Sequence, residues 1–346
     1  MSCSAISAVS LPTPGQTCAQ RRSALQRGLE KYCSLPVRSD TVKTFITKKA
    51  HLFAGHSEAA FGLGLLAPAF VCVAVFAFYP ILYSFYLSLQ RIILSLPGRE
   101  RFVLFENYRA LLQDAAAREA LANTLAFVAA STILEVAAGL GIALIINRHF
   151  RGRGLVRAAV LIPWALPTVV AAQMWRFIMN DNYGLANLIA FGADTGQYRA
   201  WLAEPMIAFV SLVAADVWKT SCFAALIILA GLQTIPDELY EAAAIDGATA
   251  WQRFSRITLP LLRPALLIAL LFRTMDAFRI FDLVFVMTQG GPGGSTSVLQ
   301  FYGYQKIFSE GLMGYGSAIS VVVFCVTLAV SVLYIKMLPG AARRGI

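Results

Sequence analysis

Charge is scarce in this 346-residue chain: Asp, Glu, Lys and Arg together supply 14% of it, where an ordinary soluble protein carries about 25%. With 58% of the residues hydrophobic, there is too little polar surface to cover a globule in water, so the surplus must face lipid. That excludes a soluble enzyme, a disordered regulator and a disulfide-stapled secreted scaffold. The six cysteines contain no C-x-x-C pair, so neither a zinc site nor a redox motif is expected. The three histidines, His51, His56 and His149, lie outside the long apolar runs. No H-E-x-x-H or G-x-S-x-G accompanies them, which sets an intramembrane enzyme aside. A phosphate-cradling G-x-x-x-x-G-K-[ST] is also missing, so the chain cannot itself be an ATPase. Long period-2 alternation and internal repeats are absent too, against a β-barrel and an inverted-repeat transporter.

What is present is a set of long apolar runs. A spanning helix needs about 20 mostly apolar residues, and six stretches qualify: 61–82, 121–146, 155–178, 206–232, 261–287 and 317–338. The expected fold class is therefore all-α, a polytopic membrane protein with six transmembrane helices. The formal net charge of +10 is read as topology rather than nucleic-acid binding. Seventeen Lys and Arg fall before the first span, after the second and fourth and after the sixth, against seven in the alternate loops. The richer side is cytoplasmic, which places both termini there. Residues 1–60 are rich in Ser, Thr, Gln and basic residues, without the apolar core of a secretory signal. They are expected to be a disordered polar cytoplasmic tail, ahead of a six-helix transmembrane domain at 61–338 and a short tail at 339–346.

One cytoplasmic loop, 236–260, is the most informative segment. Pro236 suits a first helical position, and Asp237 and Glu238 complement the positive end of a helix dipole. Gly247 suits the left-handed residue that ends a helix. A second segment through Trp251, Phe254 and Ile257 is expected to stop at Pro260. The string Glu241-Ala242-Ala243, three residues, Gly247, nine residues, Ile257-x-Leu259-Pro260 resembles the EAA motif of ABC-importer permeases at every defining position. The resemblance implies a type I importer fold in which this loop, through Glu241, Ala242, Ala243, Gly247, Ile257, Leu259 and Pro260, docks on a separate ATP-hydrolysing subunit.

Further strings narrow the resemblance. Phe281-Asp282-Leu283 followed by Thr288-Gln289-Gly290-Gly291-Pro292, and Leu161 to Thr168 with prolines at 163 and 167, are similar to the carbohydrate-uptake branch, typified by maltose-type and trehalose-type permeases. Matched to that branch, the residues implied to touch a sugar are Trp164, Thr168, Asp216, Lys219, Thr220, Phe223, Arg279 and Ile280. Asp216, Lys219 and Arg279 stand where the maltose-type pattern is uncharged. Charges within a bilayer are costly unless paired or wet. In the fifth span Arg273, Asp276, Arg279 and Asp282 recur every three residues, so an alternating ladder along one helix face is expected. Two readings stand for it: ion pairs that fix assembly, or a polar wall of a translocation cavity, which adds Asp276 and Asp282 to the path. Glu135, alone in the second span, is expected to bond a neighbouring helix. Gly139 and Gly141 are expected to permit close helix packing.

The implied protein is a non-catalytic subunit of an ATP-driven importer in the bacterial cell membrane. It would pair with a second permease, two ATP-binding subunits that hold Mg-ATP, and an extracytoplasmic solute-binding protein. Trehalose or another di- or oligosaccharide leads as substrate, ahead of glycerol phosphate or another polar solute. This chain would bind no cofactor, metal or nucleic acid. An ion-coupled secondary transporter is the competing class, and it leaves the EAA loop unexplained.

Overall fold

The computed structural model describes residues 58–192 and 194–337. The predicted tail 1–60 lies outside these residues except at its end, where a helix is already running by Glu58, and 339–346 lies outside them entirely. The chain divides into two compact units at Ala77/Phe78. The described part of the first unit is helix α1, Glu58–Val73, which enters a wide π-type turn at Ala74–Phe78.

The described part of the second unit is mainly helical. It holds α2 Tyr79–Ser88, α3 Glu106–Gln113, α4 Ala115–Asn147, α5 Arg153–Ala165, α6 Thr168–Ile178 and α7 Leu185–Phe191. These are followed by α8 Pro205–Leu232, α9 Asp237–Ile245, α10 Ala250–Arg253, α11 Leu259–Ala277, α12 Asp282–Met287, α13 Leu299–Tyr304 and α14 Met313–Met337. A two-stranded antiparallel ribbon, Gln90–Arg91 with Arg101–Phe102, is the small β element. Among the described residues five helices are long and apolar enough to cross a membrane, and six if the bent pair α5 and α6 is one span.

The helices outrun the apolar stretches because hydropathy marks the lipid-facing length, not the hydrogen-bonded length. In α4 the polar turn Ala115–Glu119 is helical as well, capped by the Asp114 side chain, which accepts from the Ala116 N–H at 3.0 Å. Three sequence expectations are corrected. The third span is two helices meeting at 90°, because Pro167 forces the preceding Leu166 into an extended conformation, ψ 135°. The fifth span ends at Ala277, turns through Phe278–Phe281 and restarts at Asp282. Arg273, Asp276, Arg279 and Asp282 therefore do not form a ladder on one continuous helix. Pro260 does not stop the helix before it: a π-type turn at Phe254–Thr258 precedes the proline, and α10 continues into α11. The wider turn relieves the clash of the proline ring with the preceding turn, where the donor that proline lacks can also be spared.

The core is centred on α4 and α8, the most extensively packed pair. Gly139 of α4 makes this possible: a Cβ there would stand 2.9 Å from the Ala224 Cβ and 3.0 Å from the Ala225 nitrogen of α8. Gly141 has no such role, since nothing lies within 4 Å of a Cβ placed on it. Gly231 of α8 does for α11 what Gly139 does for α8, with Ala265 at 2.4 Å from its would-be Cβ. Small residues at these crossings bring three helices close enough for their inward polar groups to meet.

Candidate functional site

The break in the third span and the turn after α11 open onto one polar cavity of about 110 Å³. It is lined by Thr168 at the start of α6, by Asp216, Lys219 and Thr220 of α8, and by Arg273, Asp276, Arg279, Ile280 and Asp282 around the end of α11. Eight of the ten predicted path residues thus share one cavity. The other two, Trp164 and Phe223, stack on each other with ring centroids 5.6 Å apart and planes 15° apart. Phe272 meets Phe223 edge-on at 6.2 Å. Trp164 is 47% exposed, so this pair presents a flat apolar face of the kind that packs on the C–H groups of a ring.

Behind the cavity lies a cluster in which one guanidinium serves three acids from three helices. Arg273 Nε donates to Glu135 Oε2 of α4 at 2.5 Å, Nη1 donates to Asp276 Oδ2 at 2.8 Å, and Nη2 lies 3.8 Å from Asp216 Oδ2 of α8. Arg279 reaches the other oxygen of Asp276 at 3.8 Å. The arrangement is graded in exposure: Glu135 is 0% and Arg273 3% exposed, whereas Asp276 and Arg279 are 56% and 68% exposed. Lys219 and Asp282 line the cavity without an ion pair among the described residues. From the sequence, Glu135 is expected to bond a neighbouring helix and Arg273 to belong to the charged ladder, but nothing there pairs the two with each other. The linking signal, an acid in one span facing a base in another, is invisible until helix rotation is known.

The loop 236–260 stands apart from the cavity. Helix α9 starts after Pro236 with Asp237 and Glu238 in its first turn, and it ends at Gly247, φ +73°. The next helix opens with a capping box between Thr249 and Gln252. Tyr240 Oη and Thr258 Oγ1 are hydrogen-bonded at 3.0 Å, which ties the two helices together. Glu241, Ala242 and Gly247 are exposed, Ala243 and Ile257 are half-buried, and Leu259 and Pro260 are exposed. Ile245 and Trp251, 87% and 72% exposed, flank the turn.

At the opposite end of the spans, Asp114 gathers three elements. Its Oδ2 accepts from Tyr302 Oη at 2.5 Å and from Tyr315 Oη at 2.7 Å. Burial raises the Asp114 carboxyl, but these bonds and those from the Ala116 and Ala117 N–H groups outweigh it and leave its pKa lowered. Burial, then the hydrogen bond to Asp114 and the charge on it, pushes the Tyr302 phenol up. The adjoining Gln289–Ser297 loop is held by Asn123, whose Nδ2 donates to the Gly294 and Ser297 carbonyls at 3.1 Å. Thr296 Oγ1 donates to the Gly291 carbonyl at 2.6 Å. Among the described residues no cluster of three or more His, Cys, Asp or Glu is arranged to hold a metal.

Residues 135–338 match the family described as binding-protein-dependent transport system inner membrane component. The chain is 42% identical over 289 residues to the trehalose/maltose transport system permease protein MalF of Thermococcus litoralis, covering 84% of this chain and 96% of that one. It is also 42% identical over 283 residues to the trehalose transport system permease protein SugA of Mycobacterium tuberculosis, covering 81% and 89%. Among solved structures, a bacterial alginate ABC transporter, in complex with an alginate pentasaccharide-bound periplasmic protein, shares the fold with a TM-score of 0.69 at 22% identity, over 85% of this chain and 96% of that one. With its spans, broken third helix and EAA loop, this multi-pass chain belongs to the inner-membrane permease family of binding-protein-dependent ABC importers, in its maltose/trehalose-type carbohydrate-uptake branch.

Proposed function

We propose that this chain forms, with a second homologous permease, the path by which an ATP-driven importer moves trehalose or another di- or oligosaccharide. The observation that carries the reading is the convergence of Thr168, Asp216, Lys219, Thr220, Asp276, Arg279, Ile280 and Asp282, from three separate segments, on one cavity beside the Trp164–Phe223 stack. Carboxylates and ammonium groups bond sugar hydroxyls, and the stacked rings cover a pyranose face. A closed ligand pocket holds about 300–1,000 Å³, so a cavity of about 110 Å³ fits one wall of a path whose other wall is the partner permease. Three lining acids, Asp216, Asp276 and Asp282, balance the three lining bases Lys219, Arg273 and Arg279, which favours a neutral polyol over glycerol phosphate or another anion.

In this reading an extracytoplasmic solute-binding protein delivers the sugar, and two ATP-binding subunits carrying Mg-ATP drive the cycle. Glu241, Ala242, Ala243, Gly247, Ile257, Leu259 and Pro260 transmit their closure. The loop suits the task because α9 and α10 are short, α10 opens with a capping box, and Tyr240 of α9 is bonded to Thr258 in the turn after α10, so a push on it moves α8 and α11 instead of being absorbed. The test is sugar uptake by cells holding the complete transporter. Vanadate or ATP depletion is expected to abolish uptake. Loss on adding a protonophore, with ATP held constant, would instead identify an ion-coupled transporter.

A further inference from the structure

We propose that Glu135 is a positioning residue of the transport cavity: without touching it, the carboxylate fixes Arg273 so that Arg273 sets the orientation of Asp276 and Asp216 on the cavity wall. The inference rests on the substrate-path reading of that cavity and goes beyond it by assigning the wall's geometry to a residue in the core.

The geometry is one of a chain running outward. Glu135, on α4, is fully buried and does not line the cavity. Its Oε2 holds the Nε edge of Arg273, and the guanidinium is planar and rigid, so fixing one edge fixes where the other two nitrogens point. Those nitrogens face Asp276 and Asp216, both of which line the cavity. Asp276 is more than half exposed and is the penultimate residue of α11, which ends at Ala277. Its carboxylate is held by Arg273 on one oxygen and approached by Arg279 on the other. Removing Glu135 frees Arg273 to rotate into the wet cavity, and Asp276 then loses the bond that orients it. A merely structural pair would need only that opposite charges face each other across α4 and α11. A positioning pair needs the cation on α11, because from there, three residues before Asp276, it bonds that carboxylate.

The two roles separate in the complete transporter. With radiolabelled trehalose and maltose as probes, Glu135→Gln, which keeps the shape and a hydrogen-bond acceptor, is expected to lower maximal uptake by about tenfold, the low end of what losing a residue that orients a metal ligand costs at metal sites. Glu135→Asp is expected to recover part of that loss. The charge swap Glu135→Arg with Arg273→Glu is expected to assemble, by size exclusion of the solubilised complex, and still to transport poorly. Wild-type uptake by the swap would overturn the positioning role. A cryo-EM map of the Glu135→Gln complex reads the same claim without any sugar. Arg273 turned into the cavity and away from Asp276 supports it, and Arg273 unmoved contradicts it. If the wild-type complex takes up neither sugar, the substrate reading fails, and the map alone decides on Glu135.

Discussion

Replacing Arg273 by Met is the most telling single perturbation of the fold. Arg273 and Glu135 are 3% and 0% exposed, and the guanidinium is the ion-pair partner of Glu135 and of Asp216 among the described residues. Met conserves most of the side-chain volume but leaves a carboxylate buried without its counter-ion. Breaking a buried pair in this way costs about 3–5 kcal/mol, whereas replacing both partners by uncharged groups of similar size is close to neutral. Arg273→Met is therefore expected to lower the melting midpoint of the detergent-solubilised transporter by about 10 °C, on a scale of roughly 2–4 °C per kcal/mol. Adding Glu135→Gln is expected to return part of the loss, because the fully buried charge is gone while Asp216 still lacks its partner. The assay is fluorescence-detected size exclusion after heating. A single variant as stable as the wild type would refute the buried-pair argument, and so would a double variant no better than the single.

Three further outcomes follow from other parts of the fold. Gly139→Val drives a branched side chain into Ala224 and the α8 backbone and is expected to cost about 1–3 kcal/mol by overpacking. Gly141→Ala, with open space around it, should stay within about 1 kcal/mol of wild type; melting of the two purified complexes compares them. Gly247→Val places a β-branched residue at φ +73°, a conformation that costs an L-residue about 1–2 kcal/mol. It is expected to reshape the α9–α10 turn and reduce ATP-driven uptake, with the subunit still present in membranes by immunoblot. Because the Asp114 pKa is lowered in the folded state, the stability it contributes is complete above the usual carboxylate value of about 3.9 and is lost as the pH falls through the lowered value. Asp114→Asn is accordingly expected to melt below wild type at pH 7, with the gap closing as the pH is taken below 4.

The architecture was legible in the sequence wherever a local pattern decides it. Apolar length pointed to the five long apolar helices among the described residues, and the EAA string marked a helix–turn–helix with a left-handed Gly247. What escaped was set by backbone geometry and by contacts distant in the chain. The run 261–287 reads as one span because Phe278, Ile280 and Phe281 are as apolar as the helix before them, yet the chain turns there and supplies Arg279, Ile280 and Asp282 to the cavity. The predicted stop at Pro260 failed because a π-type turn absorbs the proline. Glu135 and Arg273 are 138 residues apart. Their pairing depends on the crossing of α4, α8 and α11, which Gly139 and Gly231 make close, and nothing in either residue's neighbourhood announces it.

The central claim, that this cavity is one wall of a sugar path driven by ATP, is tested most directly in proteoliposomes. These would contain the complete transporter, its solute-binding protein and radiolabelled trehalose or maltose. Accumulation that requires ATP at the face bearing loop 236–260, and that falls on Asp276→Asn or on Trp164→Ala, is the predicted result. Accumulation of an amino acid or peptide in place of either sugar, or sugar uptake indifferent to both substitutions, would contradict it.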